Sequence, residues 1–145
     1  MAASGTRAGR SKSARPIRVL TVDDQPLFRD AARAVISATP GFEALAEVTS
    51  GEDALAIAGR LRPEFVLLDV SLPGIDGLET CRRLTAGRHA PVVVLISADD
   101  DPLLRDTARD YGAAGFVAKQ SLRPGILRTL WDRHGDSAPA ITPPG

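Results

Sequence analysis

Apolar and polar positions alternate in two rhythms along this chain, short apolar runs and longer stretches at helical spacing. Ile17–Val22 is β-branched and apolar apart from Arg18 and Thr21, which predicts a strand, and it ends in Asp23-Asp24. Leu27, Phe28, Ala31, Ala32, Val35 and Ile36 then recur at helical spacing, with Pro26 suited to the first turn and Asp24 available as cap, until Pro40-Gly41 stops the pattern. Residues 42–49 predict a second strand. Ser50-Gly51-Glu52-Asp53 has the form of a capping sequence, and Ala54, Leu55, Ala58 and Leu61 give the next helix its apolar face. Arg62-Pro63 breaks that helix. Phe65, Val66, Leu67 and Leu68 form a run too short for a buried helix, ending in Asp69 and a loop with Pro73, Gly74 and Gly77.

The second half repeats the rhythm. Asp76 or Gly77 starts a helix with Leu78, Cys81 and Leu84 on one face. Residues 92–96 are five consecutive branched apolar residues, a buried strand. Asp101-Pro102 is a helix entry, and Leu103, Leu104, Thr107, Ala108 and Tyr111 follow it. Gly112 and Gly115 bracket the turn into a short strand, 116–118, that ends at Lys119. Residues 122–133 predict the last helix, with Ile126, Leu127, Leu130 and Trp131 on its apolar side. Five strand–helix alternations predict an α/β fold, a five-stranded parallel sheet between two helix layers, because fully apolar strands require cover on both faces.

Composition bounds this unit. The 145 residues suffice for one domain, expected over 17–133, with a basic leader over 1–16 and a Pro-rich tail over 134–145, both expected to be disordered. Arg7, Arg10, Lys12 and Arg15 make the leader +4, so the remainder is −4 in a chain of zero net charge. That leader reads as a solvated segment; a nucleic-acid or membrane-surface tether is the sharper alternative, and four charges are few for it. No apolar run approaches the ~18 residues of a membrane span. One cysteine, Cys81, fits a reducing compartment, and a cytoplasmic protein is expected.

The chemistry gathers at the carboxyl ends of the predicted strands: Asp23 and Asp24, Asp69, Ser97 and Lys119. In a parallel sheet these ends share one edge, where open α/β sheets place their ligands. Three neighbouring acids repel one another unless a cation intervenes. An all-oxygen set suits Mg²⁺, which binds through one or two carboxylates plus phosphate, whereas the thiolates and imidazoles that favour zinc are absent from these positions. Lys119, one of two lysines beside sixteen arginines, supplies a second positive charge. With it, Asp69 can attack phosphorus while Ser97 hydrogen-bonds a phosphoryl oxygen.

At these residues the sequence resembles the receiver domain of two-component response regulators. The resemblance is carried by Val22-Asp23-Asp24, by the run from Leu68 to Gly77, by Ile96-Ser97-Ala98 and by Gly115-Phe116-Val117-Ala118-Lys119. The stretch from Asp24 to Arg29 and residues 112–119 are most similar to the NarL/FixJ branch. The resemblance implies a doubly wound, flavodoxin-like fold with Asp69 as phosphoacceptor, taking its phosphoryl group from a histidine kinase or phosphotransfer protein. It implies Mg²⁺ bound by Asp24, Asp69 and the Ser71 backbone carbonyl, with Asp23 acting through water. Lys119 is implied to contact the phosphoryl group, and Ser97 and Phe116 to form a switch pair, the ring turning inward. Residues 101–133 are the implied output surface for an unnamed partner protein, and a transient homodimer is a family-level expectation.

Four departures stand out. Gln25 occupies a position where that branch commonly has His, with little consequence expected. Gln120 replaces a common proline after the lysine, so a cis Lys–Pro bond is not available. Asp99-Asp100-Asp101 adds negative charge near the phosphate. About a dozen residues follow the last predicted helix, so a stand-alone receiver without a DNA-binding domain, membrane contact or enzymatic turnover is expected. Two other readings compete. An aspartate-nucleophile phosphatase would carry a second acid where Ser71 stands, and a receiver-fold interaction module would act without phosphorylation. Blander readings of single residues are a helix cap for Asp69, a core aromatic for Phe116, a buried helix residue for Cys81 and packing for Trp131.

Overall fold

Arg15 to Gly135 are the residues described by the computed structural model. The strands are β1 (Ile17–Val22), β2 (Phe42–Val48), β3 (Phe65–Asp69), β4 (Val92–Ser97) and β5 (Gly115–Ala118). Between and after them run α1 (Pro26–Ser37), α2 (Gly51–Leu61), α3 (Gly77–Thr85), α4 (Pro102–Asp110) and α5 (Pro124–Leu130). All strand pairings are parallel, in the order β2-β1-β3-β4-β5. The chain therefore reverses its direction of travel after β2, and β1 and β3 lie side by side with their ends in register, Val22 opposite Leu68.

The strands bury both faces, and period-two alternation sorts their side chains between two cores. Leu20, Val22, Val66, Leu68, Val93, Leu95 and Phe116 pack on one face with Ala54 of α2, Cys81 and Leu84 of α3 and Ala108 of α4. Val19, Phe65, Leu67, Val94, Ile96 and Val117 pack on the other with Ala32 and Ile36 of α1 and Leu127 and Leu130 of α5. β3 is buried at all five positions, as its uninterrupted apolar run requires. The expected five-stranded, doubly wound α/β architecture is present.

Helix starts follow local chemistry. Ser50 accepts from the Asp53 N–H at 3.1 Å, Asp76 from Glu79 at 2.9 Å and Asp101 from Leu103 at 3.0 Å, each satisfying a free first-turn donor. Asp24 does not cap α1, contrary to the sequence reading. Gln25 holds the cap position without a side-chain bond to the first-turn N–H groups, and Asp23 Oδ1 accepts from the Gln25 N–H at 2.8 Å. The last helix also differs. A 3₁₀ turn spans Lys119–Ser121, α5 starts only at Pro124, and a π turn, Trp131–Gly135, extends it. Pro124 holds Arg123 extended, at φ −158° and ψ 164°, which displaces the helix start from the expected position 122. The π turn carries His134 and Gly135, where the tail was expected to begin; residues 1–14 of the expected leader and 136–145 of the tail lie outside the described residues.

Leu27 and Leu103, expected on apolar faces, are 83% and 76% exposed. Both sit in the first turn of their helices at the carboxyl edge of the sheet, beyond the reach of the strands' side chains. Periodicity marks a helix face but not where the sheet beneath it ends.

Candidate functional site

The site lies at that carboxyl edge, where β1 and β3 end side by side. β1 delivers Asp23, fully buried, and the turn after it leaves Asp24 exposed. β3 delivers Asp69, 5% exposed. One carboxylate oxygen from each of the three acids lies within 4.8 Å of the others. β4 brings Ser97, paired in register with Ala118 of β5, so the next residue, Lys119, reaches over the same edge.

Lys119 Nζ stands 2.7 Å from Asp23 Oδ2 and 3.7 Å from Asp69 Oδ2. Gln25 Oε1 accepts from it at 2.9 Å, and the Phe28 ring lies 4.7 Å away. Asp23 Oδ2 is buried without an aligned hydrogen bond, so its charge is balanced by the ammonium's proximity rather than by a directed donor. Asp69 Oδ1 accepts from the Ser71 N–H at 3.1 Å. Burial raises the Asp69 pKa above the ordinary carboxylate range, and the charges of Asp23 and Asp24 push the same way; the Ser71 N–H and Lys119 pull against them without cancelling the rise. One ammonium thus faces two of the three acids. An oxygen-only donor set left short of positive charge in this way fits a hard divalent cation.

The loop after Asp69 is held from several sides. Val70 N–H donates to Ile96 O, Gly77 N–H to Val70 O, and Ile75 N–H to Glu52 Oε2 at 3.2 Å. Gly77 is required by closeness: a Cβ there would lie 2.2 Å from the carbonyl oxygen of Asp69. Gly74 turns the loop at φ +76°, a conformation natural to glycine.

Ser97 is 5% exposed and its Oγ accepts from the Asp99 N–H at 3.1 Å. Phe116 points inward, 7% exposed, with the Arg105 guanidinium 5.2 Å over its ring. Arg105 also donates to the Phe116 carbonyl at 3.4 Å and pairs with Asp100. The acidic triplet is therefore divided. Asp100 is neutralised by Arg105 and Asp101 caps α4, which leaves Asp99 as the acid of the three without such an engagement. The negative charge expected near the site is thus offset in part, by the one ion pair between Asp100 and Arg105.

The response regulator receiver domain profile matches residues 19–130, a span that contains every one of these residues. The chain belongs to the response regulator receiver family. Among curated relatives, the transcriptional regulatory protein NarL of Mycobacterium tuberculosis (strain ATCC 25618 / H37Rv) is 34% identical over 116 residues, 80% of this chain and 54% of that protein. The protein-glutamate methylesterase/protein-glutamine glutaminase 2 of Anaeromyxobacter dehalogenans (strain 2CP-C) is 40% identical over 104 residues, 72% of this chain and 27% of that protein. This receiver thus spans about a quarter to a half of these curated relatives. The solved signal receiver domain of NarL from Mycobacterium tuberculosis superimposes with a TM-score of 0.75 at 33% identity, covering 82% of this chain and 96% of that one. The NarL likeness read from the motifs holds, and the methylesterase match shows that it is shared with receivers joined to other outputs.

All the sequence-derived positions of the receiver reach this one edge or the strand beside it: Asp23, Asp24, Asp69, Ser71, Ser97, Phe116 and Lys119. Gln25, Phe28 and Arg105 were missed as participants. Gln25 and Lys119 are 94 positions apart, and no periodicity links them. The only signal for Gln25 was its place next to the acidic pair.

Proposed function

We propose that Asp69 is the phosphoacceptor of this receiver and that Lys119 and a divalent cation, Mg²⁺, neutralise the incoming phosphoryl group. One observation carries the reading: a buried carboxylate at the sheet edge lies with two further acids within 4.8 Å and an ammonium 3.7 Å away. Asp69 attacks phosphorus to form a P–O bond. The P–N bond of a phosphohistidine donor breaks as this forms, and its electron pair leaves with the imidazole. Asp24, Asp69 and the Ser71 carbonyl, with Asp23 through water, would hold the Mg²⁺, which when bound screens phosphoryl oxygens and the acids from one another. Lys119 offers an N–H to a phosphoryl oxygen. Ser97 and Phe116 are the proposed switch pair, and Arg105 ties the ring to the loop beyond Ser97. Phosphorylation adds roughly −1.5 to −2 charge, enough to bias a loop between two arrangements.

The donor is a sensor histidine kinase or phosphotransfer protein. Leu27, Ala31 and Ala34, exposed along one side of α1 next to the site, support docking of an apolar helical surface there. Output runs through a protein partner on α4, β5 and α5, with a phosphorylation-dependent homodimer as one form of it. Among the described residues no helix is long and apolar enough to cross a membrane; the lone cysteine, Cys81, supports a cytoplasmic setting. Incubation with acetyl phosphate and Mg²⁺ is expected to label the protein at Asp69. Label is lost in Asp69→Asn and on chelation, and full labelling of Asp69→Asn would overturn the assignment.

A further inference from the structure

One of the close partners of Lys119 is neutral. Its ammonium has three donors. Asp23 Oδ2 lies 2.7 Å away, Gln25 Oε1 2.9 Å and Asp69 Oδ2 3.7 Å, with the Phe28 ring 4.7 Å off. Gln25 is exposed at the rim, but its backbone is fixed. Its N–H donates to Asp23 Oδ1 at 2.8 Å, and its carbonyl accepts from Phe28 and Arg29, both at 3.1 Å. The side chain therefore starts from a rigid base beside the acid it must work with.

The chemistry of a carboxamide suits this place. It accepts from an ammonium without adding a fourth negative charge where a phosphoryl dianion must enter. An apolar side chain would leave the flexible lysine stem drawn chiefly to Asp23, which is nearer than the nucleophile Asp69. We propose that Gln25 is a positioning residue for Lys119, holding the ammonium between Asp23 and Asp69 so that it meets the phosphoryl group as the Asp69 bond forms. The inference rests on the acceptor reading of Asp69 and deepens it.

The test compares Gln25→Met, close in shape but a poor acceptor, with Gln25→His, whose neutral imidazole nitrogen can accept at a comparable reach, both at pH 8. Affinity for Mg²⁺ alone, affinity for beryllofluoride with Mg²⁺, and the rate of acetyl phosphate labelling are measured for each. Gln25→Met is expected to lose roughly tenfold in beryllofluoride affinity and labelling rate, with Mg²⁺ affinity held within about twofold, the pattern of one lost hydrogen bond to a charged group. Gln25→His is expected to recover most of the loss. In the metal-free protein, the Lys119 ammonium ¹⁵N signal is expected to lose its protection from solvent exchange in the Met variant and regain it in the His variant. A Met variant that matches the parent in beryllofluoride affinity and labelling overturns the proposal. So does an equal loss of Mg²⁺ and beryllofluoride affinity, which marks a general disturbance of the loop, or a His variant no better than Met. A parent that takes no label, or label that survives Asp69→Asn, overturns the acceptor reading and this inference with it. A labelled parent matched by the Met variant overturns this inference alone.

Discussion

Asp69 carries a conflict that can be measured. Burial and the neighbouring acids raise its pKa, so the folded protein disfavours its ionised form. A raised folded pKa contributes stability that is fully present below the unfolded value and lost as pH rises through the folded one. At neutral pH, without divalent ions, Asp69→Asn is therefore expected to unfold at a higher temperature than the parent, with the gap closing as pH falls below the ordinary carboxylate range. Thermal scans across pH 3–8 check the direction. A variant less stable than the parent at pH 7 would show that Lys119 more than balances the acids. The acids, Ser97 and Lys119 were legible in the sequence because each stands where a readable strand ends. The role of Gln25 was not, since a side-chain contact across 94 positions leaves no local trace.

The elements show where local rules suffice and where neighbours override them. Strands β3 and β4 and the caps Ser50, Asp76 and Asp101 followed from apolar runs and from side chains that can accept from first-turn donors. The starts of α1 and α5 did not. Asp23, at the site, also braces the turn into α1, and Pro124 moves the last helix start by its effect on Arg123. The loop between β3 and α3 couples element and function most tightly. Because a Cβ on Gly77 would meet backbone at 2.2 Å, Gly77→Ala is expected to cost about 1–3 kcal/mol and to shift the Asp69 carbonyl. Denaturant unfolding and acetyl phosphate labelling together check it. A fully stable and fully labelled variant would mean that the loop yields freely.

At the scale of the whole molecule, two cores clamp one sheet, and Cys81 reports on the one formed with α2, α3 and α4. Burial pushes its thiol up from 9.0 to about 12, about a thousandfold less thiolate at a given pH. Native protein is expected to resist iodoacetamide at pH 8 while urea-unfolded protein reacts promptly. Fast alkylation of the native state would show that α3 opens readily. The sequence by itself determined the α/β class, the alternation of elements and the residues that bear chemistry, because burial on both faces demands unbroken apolar strands and the chain's polarity puts their carboxyl ends on one edge. Tertiary structure alone decided the strand order β2-β1-β3-β4-β5, which sets Asp23 beside Asp69 and carries Lys119 over both. It also decided that Asp100 is spent on Arg105, that Leu27 and Leu103 are left bare, and that Gln25 shares the ammonium. The physical reason is one of range. Hydrophobic period and capping act over a few residues, whereas pairing, pKa and exposure depend on which distant groups the sheet brings within a few ångströms.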